Sequence, residues 1–108
     1  MPRNLLSASG VDRLNTMQQY DIRHDPVARR FTTTVEGVEA EVSYRYDGSV
    51  LVIHHTGVPR PIEGRGIASE LVRAAFEFAR NAGAKVRPAC SYAARWVQRH
   101  RQYADLLA

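Results

Sequence analysis

One cysteine, one tryptophan and one lysine stand in a chain of 108 residues. The lone thiol, Cys90, allows no internal disulfide and excludes a cysteine-based metal cluster. Long apolar runs are missing too, and none approaches the ~20 residues of a membrane span. The start, MPRNLLSASGVDR, offers only Leu5-Leu6 as apolar neighbours, so it lacks a signal-peptide core and a cytoplasmic protein is expected. There is no internal repeat, no linker and no low-complexity tract. What is present is ordinary: 44% of residues are hydrophobic and 24% charged. That balance and length fit one globular domain, and exclude a fibre or a disordered tail.

Charge has a bias. The net value is +4, and Lys85 is the one lysine among 15 cations, so arginine supplies almost all the positive charge. Arginine forks suit phosphate and carboxylate. Five cations and no acid fall between Lys85 and Arg101, whereas Glu36, Glu39 and Glu41 form an acidic patch with no cation between them. Solvated faces explain both, and so does a partner bearing several phosphates.

Periodicity predicts the elements. Arg30 to Glu36 and Val38 to Tyr46 alternate as strands around a Glu36-Gly37 turn. Val38, Ala40, Val42, Tyr44 and Tyr46 share one face. Asp47-Gly48 is a two-residue hairpin signal. Ser49 to Thr56 is a third strand, and its Val50-Leu51-Val52-Ile53 run predicts burial on both faces. Gly64 to Ala82 reads as a helix with a stripe at Ile67, Leu71, Ala74, Ala75, Phe78 and Ala82, stopped by Gly83. Ala84 to Pro88 is a short strand, Ser91 to about Gln102 a second helix, and Asp105 to Ala108 a tail. The order is β-β-β-α-β-α. Residues 1–21 are set apart as an extension, with a helical turn at Val11, Leu14 and Met17, from a domain over residues 22–108.

Four features carry chemistry. Glu63-Gly64-Arg65-Gly66-Ile67-Ala68 joins a central strand to the long helix, where unpartnered N–H groups and the positive dipole end suit an anion. Arg65 is placed to add a charged contact. No Gly-Lys-Ser/Thr follows, so this is not a P-loop, and three antiparallel-type strands before it disfavour a dinucleotide fold. His54 and His55 are strand neighbours, which regular alternation points to opposite faces. Cys90 stands where the second helix begins, near Arg87, a setting that favours thiolate; an inert, packed thiol is the other reading. Tyr92, Trp96 and Tyr103 interleave with arginines as a nucleic-acid platform does, but their helical spacing fits packing better. His24 and His100 have no partner at metal-ligand spacing, so no metal is expected.

The ordered set His55-Thr56-Gly57-Val58-Pro59, Glu63 to Ala68, Pro88-Ala89-Cys90-Ser91-Tyr92 and Arg99-His100 resembles the small single-domain branch of the GNAT acetyltransferases, from about Ile22 to Leu107. Glu63 departs from the usual Gln/Arg of that signature, and Arg101 stands where relatives often have proline. The resemblance implies an α+β fold with a mostly antiparallel sheet and a central acetyl-CoA cleft. It implies a pyrophosphate held by Gly64, Arg65, Gly66, Ile67 and Ala68, and a pantetheine arm paired with backbone from Thr56 to Val58. His55 and Cys90 become the catalytic candidates, with Cys90 beside the thioester as nucleophile, acid or lining residue. Acetyl-CoA is then the co-substrate, and a small-molecule or protein amine the acceptor. The competing reading is a non-catalytic module that binds CoA or nucleic acid.

Overall fold

The computed structural model describes residues 20–108. The extension expected over residues 1–21, with the turn at Val11, Leu14 and Met17, lies outside these apart from its last two positions. Five strands form one sheet in the order β1-β2-β3-β4-β5: β1 Arg23–Asp25, β2 Arg30–Val35, β3 Val38–Asp47, β4 Val50–Gly57 and β5 Lys85–Pro88. Neighbours are antiparallel except β4 and β5, which are parallel and joined by helix α1, Ile67–Ala82. Helix α2, Ser91–Arg99, follows β5. The mixed α+β architecture with a mostly antiparallel sheet is as the sequence implies, with one added strand. Strand β1 is three residues, Arg-His-Asp, too short and polar to show a period.

Alternation explains the sheet. Phe31, Ala40, Val42, Tyr44, Leu51, Ile53 and Val86 are buried on one face under α1. The β2–β3 turn is tight because Glu36 and Gly37 both take positive φ, 53° and 77°. The next hairpin differs from the expected Asp47-Gly48: Asp47 pairs with Val50, so the loop is Gly48-Ser49. The Val50 to Ile53 run is buried on both faces, as its composition requires, and Val52 is fully covered opposite Arg45 and Arg87.

Helix α1 starts at Ile67, three residues later than the pattern indicated. Gly64 and Gly66 have φ of 79° and 75°, a left-handed geometry that cannot continue into a right-handed helix. Its buried stripe is Ile67, Leu71, Val72, Ala75, Phe76 and Ala79, turned from the expected one: Ala74 and Phe78 sit at its margin and Ala82 is exposed. The sequence stripe counted one diagonal of the helix and omitted Val72, Phe76 and Ala79 beside it. Helix α2 stops at Arg99, because His100 leaves helical geometry at φ −129° and a 3-10 segment, Arg101–Leu106, follows. The expected tail is not loose: Leu107 bridges Val86, and the Ala108 N–H donates to the Val86 carbonyl at 3.0 Å. Among the described residues, no helix is long and apolar enough to cross a membrane.

One irregularity positions the site. Ile53 pairs with Tyr44 but His55 pairs with Ser43, leaving His54 without a partner on β3. This is a β-bulge, one extra residue in β4. Regular alternation would put His55 on the same face as Ile53. The bulge moves it to the other face, with Ser43, while Thr56 opposes Val42 on the helix-covered face.

Candidate active site

The loop between β4 and α1 forms an open cradle at the helix N-terminus. Gly66 is the N-cap of α1 and brings no side-chain bond to the helix end, and the Glu63 N–H donates to the Arg60 carbonyl at 3.1 Å. A Cβ built on Gly64 or Gly66 would meet no atom within 4 Å, so the protein itself leaves that space open. Positive φ requires glycine there, and the first amides of a 16-residue helix face outward. The Arg65 side chain turns elsewhere. Its guanidinium donates to both carboxylate oxygens of Glu36, at 2.9 and 3.4 Å, and this bond holds the Glu36 carboxyl below the usual carboxylate range. The Tyr20 hydroxyl donates to the Arg65 carbonyl at 2.6 Å, pinning the loop from the other side.

A gap opens next to this cradle. Strands β4 and β5 pair only from Val50 to Ile53; β5 ends at Pro88, and the Ala89 and Cys90 N–H groups both converge on the Ile53 carbonyl. Beyond Ile53, among the described residues, the sheet partners of β4 lie on its β3 side. Cys90 is the N-cap of α2, half-buried, with Sγ 3.4 Å from the Thr56 hydroxyl across the gap. Val58 lies at the end of the same segment, half-buried against the core. Arg87 does not serve Cys90: it pairs with Asp47 at 3.0 Å and opposes Val52, on the sheet's other face.

That other face carries the histidine. His55 is exposed, and its Nε2 lies 3.7 Å from one Glu41 carboxylate oxygen. The second Glu41 oxygen accepts from Arg30 at 3.0 Å and from the Ser43 hydroxyl at 3.4 Å. An open groove of about 300 Å3 runs beside this group, lined by Glu39, Glu41, Gly57, Val58 and Pro59. His55 and Cys90 are therefore not a contact pair; the sheet separates them. Glu41, Arg30 and Ser43 were not singled out as site residues from the sequence. Their signal was strand register, which becomes visible once β2, β3 and β4 are aligned.

The aromatic residues of the C-terminal part mostly pack. Trp96 and Tyr103 are buried, and the Trp96 indole N–H donates to Ser69 at 2.9 Å. His100 stacks on Trp96 with ring centroids 4.0 Å apart, and His24 stacks on Phe31 at 4.1 Å. Tyr92, half-buried, lines a second groove of about 210 Å3 with Arg95 and Arg99, and burial raises its hydroxyl pKa.

The family model for GCN5-related N-acetyl-transferase matches residues 30–106. Protein NATD1 of Xenopus tropicalis is 30% identical over 96 residues, which cover 86% of this chain and 88% of that protein. Protein NATD1 of Homo sapiens is 35% identical over 80 residues, 71% of each chain. A GCN5-like candidate N-acetyltransferase from Staphylococcus aureus, solved in solution by NMR, superposes with a TM-score of 0.66 at 27% identity, covering 85% of this chain and 91% of that one.

Proposed function

This chain belongs to the GCN5-related N-acetyltransferase family, and from that premise we propose that it transfers an acetyl group from acetyl-CoA to an amine. The observation that carries the reading is the junction of the α1 N-terminus, capped by no side chain, with an outer edge of β4 that is unpaired beyond Ile53 among the described residues, faced by Cys90 and Thr56. Amides from Gly64 to Ala68 would hold the pyrophosphate. The free edge from Thr56 to Val58 would pair with the amide-bearing arm as an added strand does. The residues fit the co-substrate because the cradle has space and the β4 edge beyond Ile53 has no β5 partner among the described residues.

Acyl transfer needs an amine free of its proton, a donor for the developing oxyanion, and a proton for the leaving thiolate. In this reading His55 takes the proton of the attacking amine. Cys90 and Thr56 lie at the thioester end of the cleft. Because Cys90 contacts Thr56 and His55 contacts Glu41, with no contact between the two, a thiolate generated by His55 is disfavoured, and direct attack by an amine bridging from His55 to the thioester is the route we adopt. The acceptor is a small-molecule or protein amine. The competing reading, a nucleic-acid platform, would need stacking faces that Trp96 and Tyr103 do not present.

Calorimetric titration with acetyl-CoA tests the cradle. Gly66→Val should weaken binding about tenfold or more, roughly 1.4 kcal/mol. Because positive φ at Gly66 adds backbone strain to that variant, Ala68→Glu is the cleaner probe. A carboxylate in the first turn suits the helix dipole and leaves the fold intact, yet opposes a phosphate. Unchanged affinity in folded Ala68→Glu would place the ligand elsewhere. Arg65→Ala should cost less than either, since its guanidinium already serves Glu36.

A further inference from the structure

We propose that Glu41 is a positioning residue for the reaction, holding His55 as the proton acceptor on the open face of the sheet, opposite Cys90. The inference rests on the acetyltransferase reading and goes beyond it in assigning the relay and the side of approach. Three observations converge. First, Arg30 and Ser43 hold one Glu41 oxygen, which leaves the other 3.7 Å from His55 Nε2, an ion-pair distance rather than a hydrogen bond. Second, the ring has been given room. Gly57 opposes Glu41 across the strands, and a Cβ at Gly57 would stand 3.0 Å from His55 Nε2. The φ of Gly57 is not positive, so an added side chain there would press on the ring and not on the backbone. Third, the pair lies against the groove at Gly57, Val58 and Pro59, which borders the segment proposed to hold the pantetheine arm.

The chemistry follows from the atom that Glu41 faces. A carboxylate 3.7 Å from Nε2 favours the hydrogen of the neutral ring on that nitrogen, where a small approach makes a hydrogen bond, and leaves the Nδ1 lone pair for the amine. The amine nitrogen bonds to the thioester carbonyl carbon, its proton passes to Nδ1, the carbon–sulfur bond breaks, and the thiolate takes up a proton from solvent, to which the imidazolium returns the one it accepted. The sum is an amide and free CoA thiol. Glu41 touches none of the reacting atoms; it sets which nitrogen is basic and where the ring points. The amine then approaches through the groove while the thioester comes from the helix-covered face, and the gap beyond Ile53 is where they meet.

The test is ¹⁵N NMR of the His55 ring together with rates of CoA release, using acetyl-CoA and spermidine as the amine probe. The wild type should show hydrogen on Nε2. Glu41→Leu should give a tautomer mixture and lower kcat by about tenfold or more, with acetyl-CoA affinity changed by less than about twofold. Glu41→Gln keeps an acceptor oxygen and should retain the Nε2–H form and part of the rate. Gly57→Ala should displace the ring and reproduce the Glu41→Leu spectrum with the carboxylate retained, its new methyl meeting the ring at 3.0 Å and the Glu41 Cγ only at 3.9 Å. An unchanged tautomer in both Glu41→Leu and Gly57→Ala overturns the proposal. If spermidine is not turned over, the spectra alone decide it. If the wild type fails to bind acetyl-CoA, the acetyltransferase reading falls, and that result is separate from the tautomer comparison.

Discussion

The two faces of this sheet are held by different forces. Under α1, Phe31, Val42, Leu51, Ile53 and Val86 meet Leu71 and Phe76 in a dry core, each 3% exposed or less. On the opposite face, Arg30 bonds Glu39 and Glu41, and Arg87 bonds Asp47, largely in solvent. Dispersion and burial work on the first face without direction; on the second, partners are chosen by charge and register. Stability is therefore concentrated on one side. The other is free to carry oriented polar groups whose loss costs the fold little.

The sharpest attack on this contrast is Phe76→Ala, at the fully buried centre of α1 and stacked on Trp96 at 5.3 Å. A cavity there should cost about 3–5 kcal/mol in urea unfolding. A loss under about 1 kcal/mol would mean that the covered face is not the main source of stability. A smaller effect should come from pH, through His24. Burial lowers its pKa, against the neighbouring Asp25 carboxylate, which raises it. The unfolded chain then takes up a proton before the folded one as pH falls through about 6.5, so stability present above that value is lost below it. The melting temperature should drop from about pH 7 to pH 5, and by less in His24→Gln. Equal drops in both proteins would remove His24 from the account. The smallest effect belongs to the open face. Arg87→Ala breaks a pair whose side chains are 48% and 65% exposed, and should change stability by less than about 1 kcal/mol. A larger loss would show that the charged face also bears the fold.

Much of the covered face was legible in the sequence, because alternation and helical stripes are local patterns. Val38 to Tyr46 and Val50 to Ile53 could be placed without knowing their neighbours. The glycine loop was legible as a small-residue junction before the helix, but not its left-handed backbone at Gly64 and Gly66, which delays the helix to Ile67. The open face was not. Glu41 and His55 are 14 positions apart, and only the register of β3 against β4 brings them together. Arg65 shows the same limit. Its place in the loop suggested a phosphate ligand, but the β2–β3 turn delivers Glu36 to it from 29 residues away. Arg87 was read by its nearness to Cys90 in sequence, yet strand alternation sends it to the other side.

The bulge at His54 makes β4 unequal in its tolerance to changes of length. Strand geometry works like a reading frame of two, and most single-residue deletions would turn every later side chain over. Deleting His54 is the exception. Ile53 would stay opposite Tyr44, His55 opposite Ser43 and Thr56 opposite Val42, with the strand merely straightened. Deleting Val52, two residues earlier, would break the frame and strip a fully buried side chain from the sheet. A deletion scan along β4 should therefore find one permissive position inside an intolerant strand. In such a chain, insertions and deletions could drift through the bulge while leaving the two faces in phase.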